Sequence, residues 1–282
     1  MHLEAGDWSA DLLPQEGAAF AALTWRGQPV LQPLAGRDPN NTPAGAFWML
    51  PWTNRIDGGR FPWAGTTYQF PITHPEEGNA LHGLSRTLPW QVEAQDAAGA
   101  VLTQSLAETP FHYAARLDVR LDARGLALAM TLRNSGAAPC PMGMGWHPWF
   151  ARPAGCRVEF AARTGFVRDA RKLPVAAIPG GGVAGEEAAW LGMDDHFAGW
   201  DGAVRLERPE LTLELEAGGD WCRNIQFYAP RLHPVLCLEP VSHVPDVINR
   251  PQFSEHGAMR ILAPGEALQG RIRLAARLPT GR

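Results

Sequence analysis

The chain has 282 residues, 45% of them hydrophobic, enough to bury a large core as two average domains or one large all-β domain. Its 25 basic and 29 acidic residues leave a net charge of −4, which argues against a nucleic-acid-binding surface. No apolar run approaches the length of a membrane span. The start, Met1-His2-Leu3-Glu4-Ala5, is not a basic stretch followed by an apolar one, so the expectation is a soluble, cytoplasmic protein.

Residues 51–90 are dense in polar chemistry. Asn54-Arg55-Ile56 is followed by Gly58-Gly59-Arg60-Phe61, by Gly65 and Tyr68, and by Asn79-Ala80-Leu81-His82-Gly83. An arginine and an amide among glycines and aromatics suit a patch that hydrogen-bonds several hydroxyls, with His82 adding a donor. The same residues also suit a pair of turns, with Arg55 salt-bridged at the surface.

Regular alternation follows. Leu117, Val119 and Leu121 alternate with Arg116, Asp118, Arg120 and Asp122; Leu126, Leu128, Met130 and Leu132 repeat the pattern after a turn at Ala123-Arg124-Gly125. This is a strand–turn–strand signal. Further alternating stretches run from Cys156 to Ala162, Leu211 to Ala217 and Ile272 to Leu278. One-sided alternation suits antiparallel sheets with one face on a core. Helical periodicity is confined to a short turn near Glu186 to Leu191. The expectation is an all-β protein, a sandwich of several antiparallel sheets forming one domain over 1–282.

Between the alternating stretches lies Gly143-Met144-Gly145-Trp146-His147-Pro148-Trp149-Phe150. The glycines permit close approach, and Pro148 stiffens the segment in an extended form. Taken alone, His147 fits either a core histidine hydrogen-bonded among tryptophans or a proton donor at a pocket wall. Gly180 to Gly185 matches GxGxxG, but Pro174 and Pro179 disfavour a preceding strand and Glu186-Glu187 would repel a pyrophosphate, so a flexible loop is expected. Asp194-Asp195-His196-Phe197 reads as a turn. Val235-Leu236-Cys237-Leu238-Glu239-Pro240 places a carboxylate at the end of an apolar strand, either in water or partly buried with a raised pKa. Pro245-Asp246 and Asn249 suit a polar loop. Cys140, Cys156, Cys222 and Cys237 form no CxxC pair, and the expectation is reduced cysteines packed as small hydrophobes, with no metal site.

In order, Asn54-Arg55-Ile56, Gly65-x-x-Tyr68, Asn79-x-Leu81-His82-Gly83, His147-x-x-Phe150, Asp194-x-x-Phe197, Glu239, Pro245-Asp246-x-x-Asn249 and Pro264-Gly265-Glu266 resemble the aldose 1-epimerase (galactose mutarotase) family over roughly residues 50 to 270. The resemblance implies a large antiparallel β-supersandwich. It implies Glu239 as catalytic base, His147 as acid, and Arg55, His82 and Asp194 as ligands of sugar hydroxyls. The implied reaction interconverts the anomers of a hexose: a base takes the C1 hydroxyl proton, an acid protonates the ring oxygen, and the opened ring recloses on the other face. Neither metal nor cofactor is expected, and the partner is a small monosaccharide. The base and acid are expected on opposite sides of the pyranose, with Trp52, Trp146 and Trp149 as candidates to flank it.

The sequence departs from the galactose-type branch in two places. That branch commonly reads His-x-Tyr-Phe-Asn-Leu where this chain continues Phe150-Ala151-Arg152, and Glu-Thr-Gln where this chain reads Glu239-Pro240-Val241-Ser242-His243. Sugar specificity therefore does not carry over. Two alternatives stand beside the mutarotase: an epimerase of an anionic hexose, with Arg55, Arg86, Arg152 and Arg250 as candidate anion ligands, and a non-catalytic carbohydrate-binding protein.

Overall fold

A computed structural model describes residues 1–34 and 44–279. Two large antiparallel sheets dominate. The nine-stranded sheet runs in the order Gln91–Gln95, Gly99–Glu108, Phe111–Asp122, Gly125–Asn134, Ala267–Arg277, Thr212–Gly219, Ala203–Glu207, Arg157–Ala161, Gly182–Glu186. Its central strands are the alternating stretches of the sequence, with Leu117 paired to Met130 and Leu128 to Ile272. Leucine, valine and methionine point inward and arginine and aspartate outward, the pattern of a sheet wet on one face.

The eleven-stranded sheet runs His2–Ala5, Trp8–Leu13, Ala19–Trp25, Ala46–Met49, Gly145–Ala151, Val235–Val241, Asn224–Tyr228, Asp194–Ala198, Thr164–Arg168, Pro174–Pro179, with Gln28–Pro29 paired beside Ala19–Trp25. Its central strands are buried almost throughout, because one face packs on the core and the other lies beneath connecting segments. The core-facing side presents Trp48 and Trp146, which stack at 6.4 Å. Trp48 also stacks on Trp221, which enters from the connection after the strand Thr212–Gly219 of the opposite sheet, at 6.3 Å.

Three expectations are corrected here. Pro174–Pro179 is a strand, and Gly182–Glu186 is another rather than a flexible loop. Both lie at sheet edges, where a proline's missing N–H costs no ladder bond. Asp194–Ala198 is also a strand, not a turn; its acidic start is held by cationic neighbours described below. The helical turn falls at Glu187–Trp190. All four cysteines are free, and Cys140, Cys156 and Cys237 are buried. Among the described residues no helix is long and apolar enough to cross a membrane.

Candidate active site

Period-two geometry determines which side chains leave the core. In Gly145–Ala151, Trp146 and Phe150 face the core, so His147 and Trp149 face the other side. The pairings Gly145 with Val241 and Trp149 with Cys237 bring His147 opposite Glu239. His147 also pairs with Phe47 on its other flank, and Glu239 with Gln226. One rung of the sheet therefore reads Phe47, His147, Glu239, Gln226. The next reads Trp149, Cys237, Tyr228, Asp194. Together these two rungs, apart from the fully buried Cys237, form the floor of a cleft of about 350 Å³, which is also lined by Asn54, Arg55, Glu77, His82, Arg86 and Lys172.

His147 Nε2 lies 3.3 Å from Glu239 Oε1, and both side chains are almost fully buried. Phe47 stacks on the His147 ring at 4.4 Å, Trp149 leans on it at 4.9 Å and His82 meets it edge-on at 5.0 Å. The imidazole is thus fixed by aromatic packing on three sides. The expectation that acid and base lie on opposite sides of a sugar is corrected: they are adjacent on one floor. Glu239 also stands within its strand rather than at its end.

Two glycine positions explain how the backbone closes around this floor. A Cβ at Gly145 would meet Met49 at 2.7 Å and Thr53 at 2.8 Å, so the His147 strand lies against the 49–53 segment. A Cβ at Gly83 would meet the Leu50 carbonyl oxygen at 2.1 Å. Just before it, His82 sits at φ 64°, a conformation non-glycine residues seldom adopt, with its N–H donating to the Asn54 carbonyl. Asn54 is itself at φ 55°, and its Oδ1 accepts from both the N–H and Nη1 of Arg55. Strained backbone collected at one cleft is a mark of a functional site.

Arg55 is buried rather than at the surface. It donates twice to Glu77, at 2.7 and 3.1 Å, and lies 3.5 Å from Asp194. Lys172 bridges the same two carboxylates at 3.2 and 3.0 Å, and Arg168 reaches Asp194 at 3.3 Å. Gln226 Nε2 donates to the other Asp194 oxygen at 2.7 Å. Burial acts to raise the Glu77 pKa, but hydrogen bonds and charge from Arg55 and Lys172 prevail and hold it at about 2. This wall is therefore a fixed array of compensated charges.

The floor behaves differently. Burial pushes the Glu239 carboxyl well above the carboxylate range; Asp194 adds to the rise and Arg55 opposes it. Burial, then the charge of Arg86, holds His147 well below the usual imidazole value. Burial also lowers His82, with His147 and Arg86 contributing. Each shift favours the uncharged form, a neutral imidazole at His147 and His82 and a protonated carboxyl at Glu239. Glu239 Oε2, His147 Nδ1 and Trp149 Nε1 have no hydrogen-bond partner within the protein. Buried polar atoms without partners are uncommon, and here they mark groups available to a ligand.

The expected site residues Arg55, His82, His147, Asp194 and Glu239 all line this one cleft. Other expectations separate. Trp52 packs on Phe70 and Phe111 and Trp146 on Trp48, both in the core, so only Trp149 is placed to flank a ring. Of the four arginines, Arg55 and Arg86 line the cleft. Arg250 is bound to Asp246 and Asp57. Arg152 donates to the carbonyls of Val235, Pro230 and His233 and pairs with Glu187. Sequence reasoning missed Phe47, Glu77, Lys172, Gln226 and Tyr228. The last two carried a signal: Asn224, Gln226 and Tyr228 alternate with Ile225 and Phe227, a strand with one polar face.

Two wholly antiparallel sheets thus carry a buried imidazole–carboxylate pair in a polar cleft. The aldose 1-epimerase family model matches residues 3–275, and the chain belongs to that family. It is 28% identical over 274 residues to the uncharacterized protein YphB of Escherichia coli K12, covering 89% of this chain and 90% of that protein. A candidate aldose 1-epimerase from Escherichia coli K12 superposes with a TM-score of 0.86 at 24% identity, over 99% of this chain and 98% of the other. A galactose mutarotase-like protein from Clostridium acetobutylicum gives 0.85 at 19% identity, over 99% and 95%.

Proposed function

We propose that the protein is an aldose 1-epimerase interconverting the α and β anomers of a hexose, with Glu239 and His147 as its proton-transfer groups. The observation that carries this reading is their direct apposition at 3.3 Å on the cleft floor, with Glu239 Oε2 otherwise unpaired. The anomeric hydroxyl and the ring oxygen are both bonded to C1, so a base and an acid serving them must be neighbours. The one proton first passes from Glu239 to His147 across their contact; Glu239 then takes the hydroxyl proton as His147 gives its proton to the ring oxygen, and the C1–O5 bond breaks to an aldehyde. Rotation about C1–C2 exposes the other face. The O5 hydroxyl then attacks C1, its proton returns to His147, and Glu239 reprotonates O1.

The protein carries one proton throughout. After ring opening it stands as a neutral carboxyl and a neutral imidazole, the forms that burial favours, so the environment lowers the energy of the open-chain stage. Arg55, His82 and Asp194 supply hydrogen bonds to hydroxyls, and Trp149 offers a face to the apolar side of the ring. Of the lining cations, Arg55 and Lys172 are already balanced by Glu77 and Asp194, which favours a neutral aldose over an anionic one.

Polarimetry of freshly dissolved α-glucose and α-galactose tests the reading. The approach to equilibrium accelerates in proportion to protein while the endpoint stays fixed. The rate is bell-shaped in pH. It falls in acid once His147 takes the second proton, below its ordinary 6.5, and in base once Glu239 loses the last one, above its ordinary 4.5. Folded protein that accelerates no neutral or anionic aldose is a binding protein, and the reading fails. Acceleration confined to anionic sugars transfers it to that substrate class.

A further inference from the structure

The proposed reaction leaves Cys237 unused, although it stands on the cleft-facing side of the sheet two residues before Glu239. We propose that His147, Cys237 and Glu239 form a site for a zinc-type divalent ion, and that the bound ion inhibits the enzyme. The inhibitory part rests on the mutarotase reading; the binding part does not.

The ligand atoms of the three residues all lie within 4.8 Å of one another, and all three side chains are buried. Zinc–nitrogen and zinc–oxygen bonds of about 2.0–2.2 Å in a tetrahedron separate their ligand atoms by roughly 3.3–3.6 Å. The His147 Nε2 to Glu239 Oε1 distance of 3.3 Å already meets that spacing. Glu239 Oε2, at a side chain only 2% exposed, has no other partner. One imidazole, one thiolate and one carboxylate compensate a dication fully, so the loaded site buries no net charge. A thiolate in the set selects zinc or cobalt over magnesium or calcium.

Three protein ligands leave a fourth tetrahedral position toward the cleft. Binding displaces two protons to solvent, the Cys237 thiol proton and the one that His147 and Glu239 share, and occupies the lone pairs of both proton-transfer groups. His147 then has no proton to deliver to a ring oxygen, and Glu239 cannot take one from a hydroxyl.

Cobalt(II) titration of the metal-free full-length protein reads the site directly, because a thiolate ligand gives a charge-transfer band in the near ultraviolet. The expected result is one cobalt per chain with that band, and inhibition by zinc that a chelator reverses. Cys237→Ser and Cys237→Ala lose the band, bind at least about tenfold more weakly, and in metal-free buffer retain the wild-type anomerisation rate without its sensitivity to zinc. Glu239→Gln weakens cobalt binding as well, a readout that needs no activity. A wild-type protein without the band overturns the proposal. So does a Cys237→Ala variant that binds cobalt as tightly as wild type, which would assign the ion to His82 with His74 and His233, two further histidines lining the cleft. Circular dichroism confirms that each variant is folded, and Cys237→Ala stands in if Cys237→Ser is not. If no aldose is turned over, the cobalt titration still decides the binding claim while the mutarotase reading fails separately.

Discussion

The two large sheets use the same antiparallel ladder for opposite ends. In the nine-stranded sheet the strand Phe111–Asp122 alternates buried and accessible residues along nearly its whole length. In the eleven-stranded sheet all seven residues of Val235–Val241 are buried. The first sheet sends its polar side chains to solvent, where the pair Arg273–Asp122, at 2.7 Å, remains partly exposed. The second turns them into a cleft, where burial raises Glu239 and lowers His147. One geometry thus yields a scaffold where its second face is wet and the candidate site where that face is covered.

The largest expected effect breaks chemistry without breaking the fold. Glu239→Gln keeps the side chain's shape but removes its basicity, and kcat is expected to fall by about 10²–10⁴ with little change in KM. Thermal unfolding of the variant stays close to wild type. Near-normal turnover would remove Glu239 from the mechanism.

The converse belongs to the other sheet. Leu117 is fully buried between the layers, and Leu117→Ala is expected to cost about 2–5 kcal/mol of stability. Urea denaturation measures this, and kcat of the folded fraction should hold. A variant that kept its stability but lost kcat would show that the two sheets are not separable in this way.

Arg152 tests the border between the two. It follows the His147 strand and holds the 230–235 segment, which leads into the Glu239 strand, through three backbone carbonyls. A lysine cannot reproduce that planar fork, so Arg152→Lys should lower stability by about 1–2 kcal/mol and raise KM more than it lowers kcat. Equal losses in both would place Arg152 closer to the chemistry than its contacts do. The smallest effect is expected at Arg273→Gln, on the wet face, with a change of about 0–1 kcal/mol and wild-type kinetics.

The same contrast explains what could be read from the chain. Leu117, Leu128 and Ile272 announced their strands because solvent keeps the intervening positions polar. Ala46–Met49 and Val235–Val241 gave no alternation because both faces are buried, and Asp194 passed for a turn residue because the cations that hold it, Arg168 and Lys172, are remote in sequence. Glu239, His147, Arg55 and His82 were legible through the ordered family motifs. Glu77 and Lys172 were not: a carboxylate in Pro75-Glu76-Glu77-Gly78 looks like solvated turn chemistry until Arg55 is seen folded onto it. The side-by-side placement of His147 and Glu239 depended on register, which neither strand states alone.

That register has a consequence for how the molecule is made. The cleft draws on Phe47, His82, His147, Asp194 and Glu239, so its parts are contributed by most of the chain. A ribosome must have released nearly all of it before the two central rungs can meet, and contacts between such distant segments form slowly. No early fragment carries a rudimentary cleft. In refolding, recovery of activity should be the last signal to return, which makes a sugar-turnover assay a report on completed assembly.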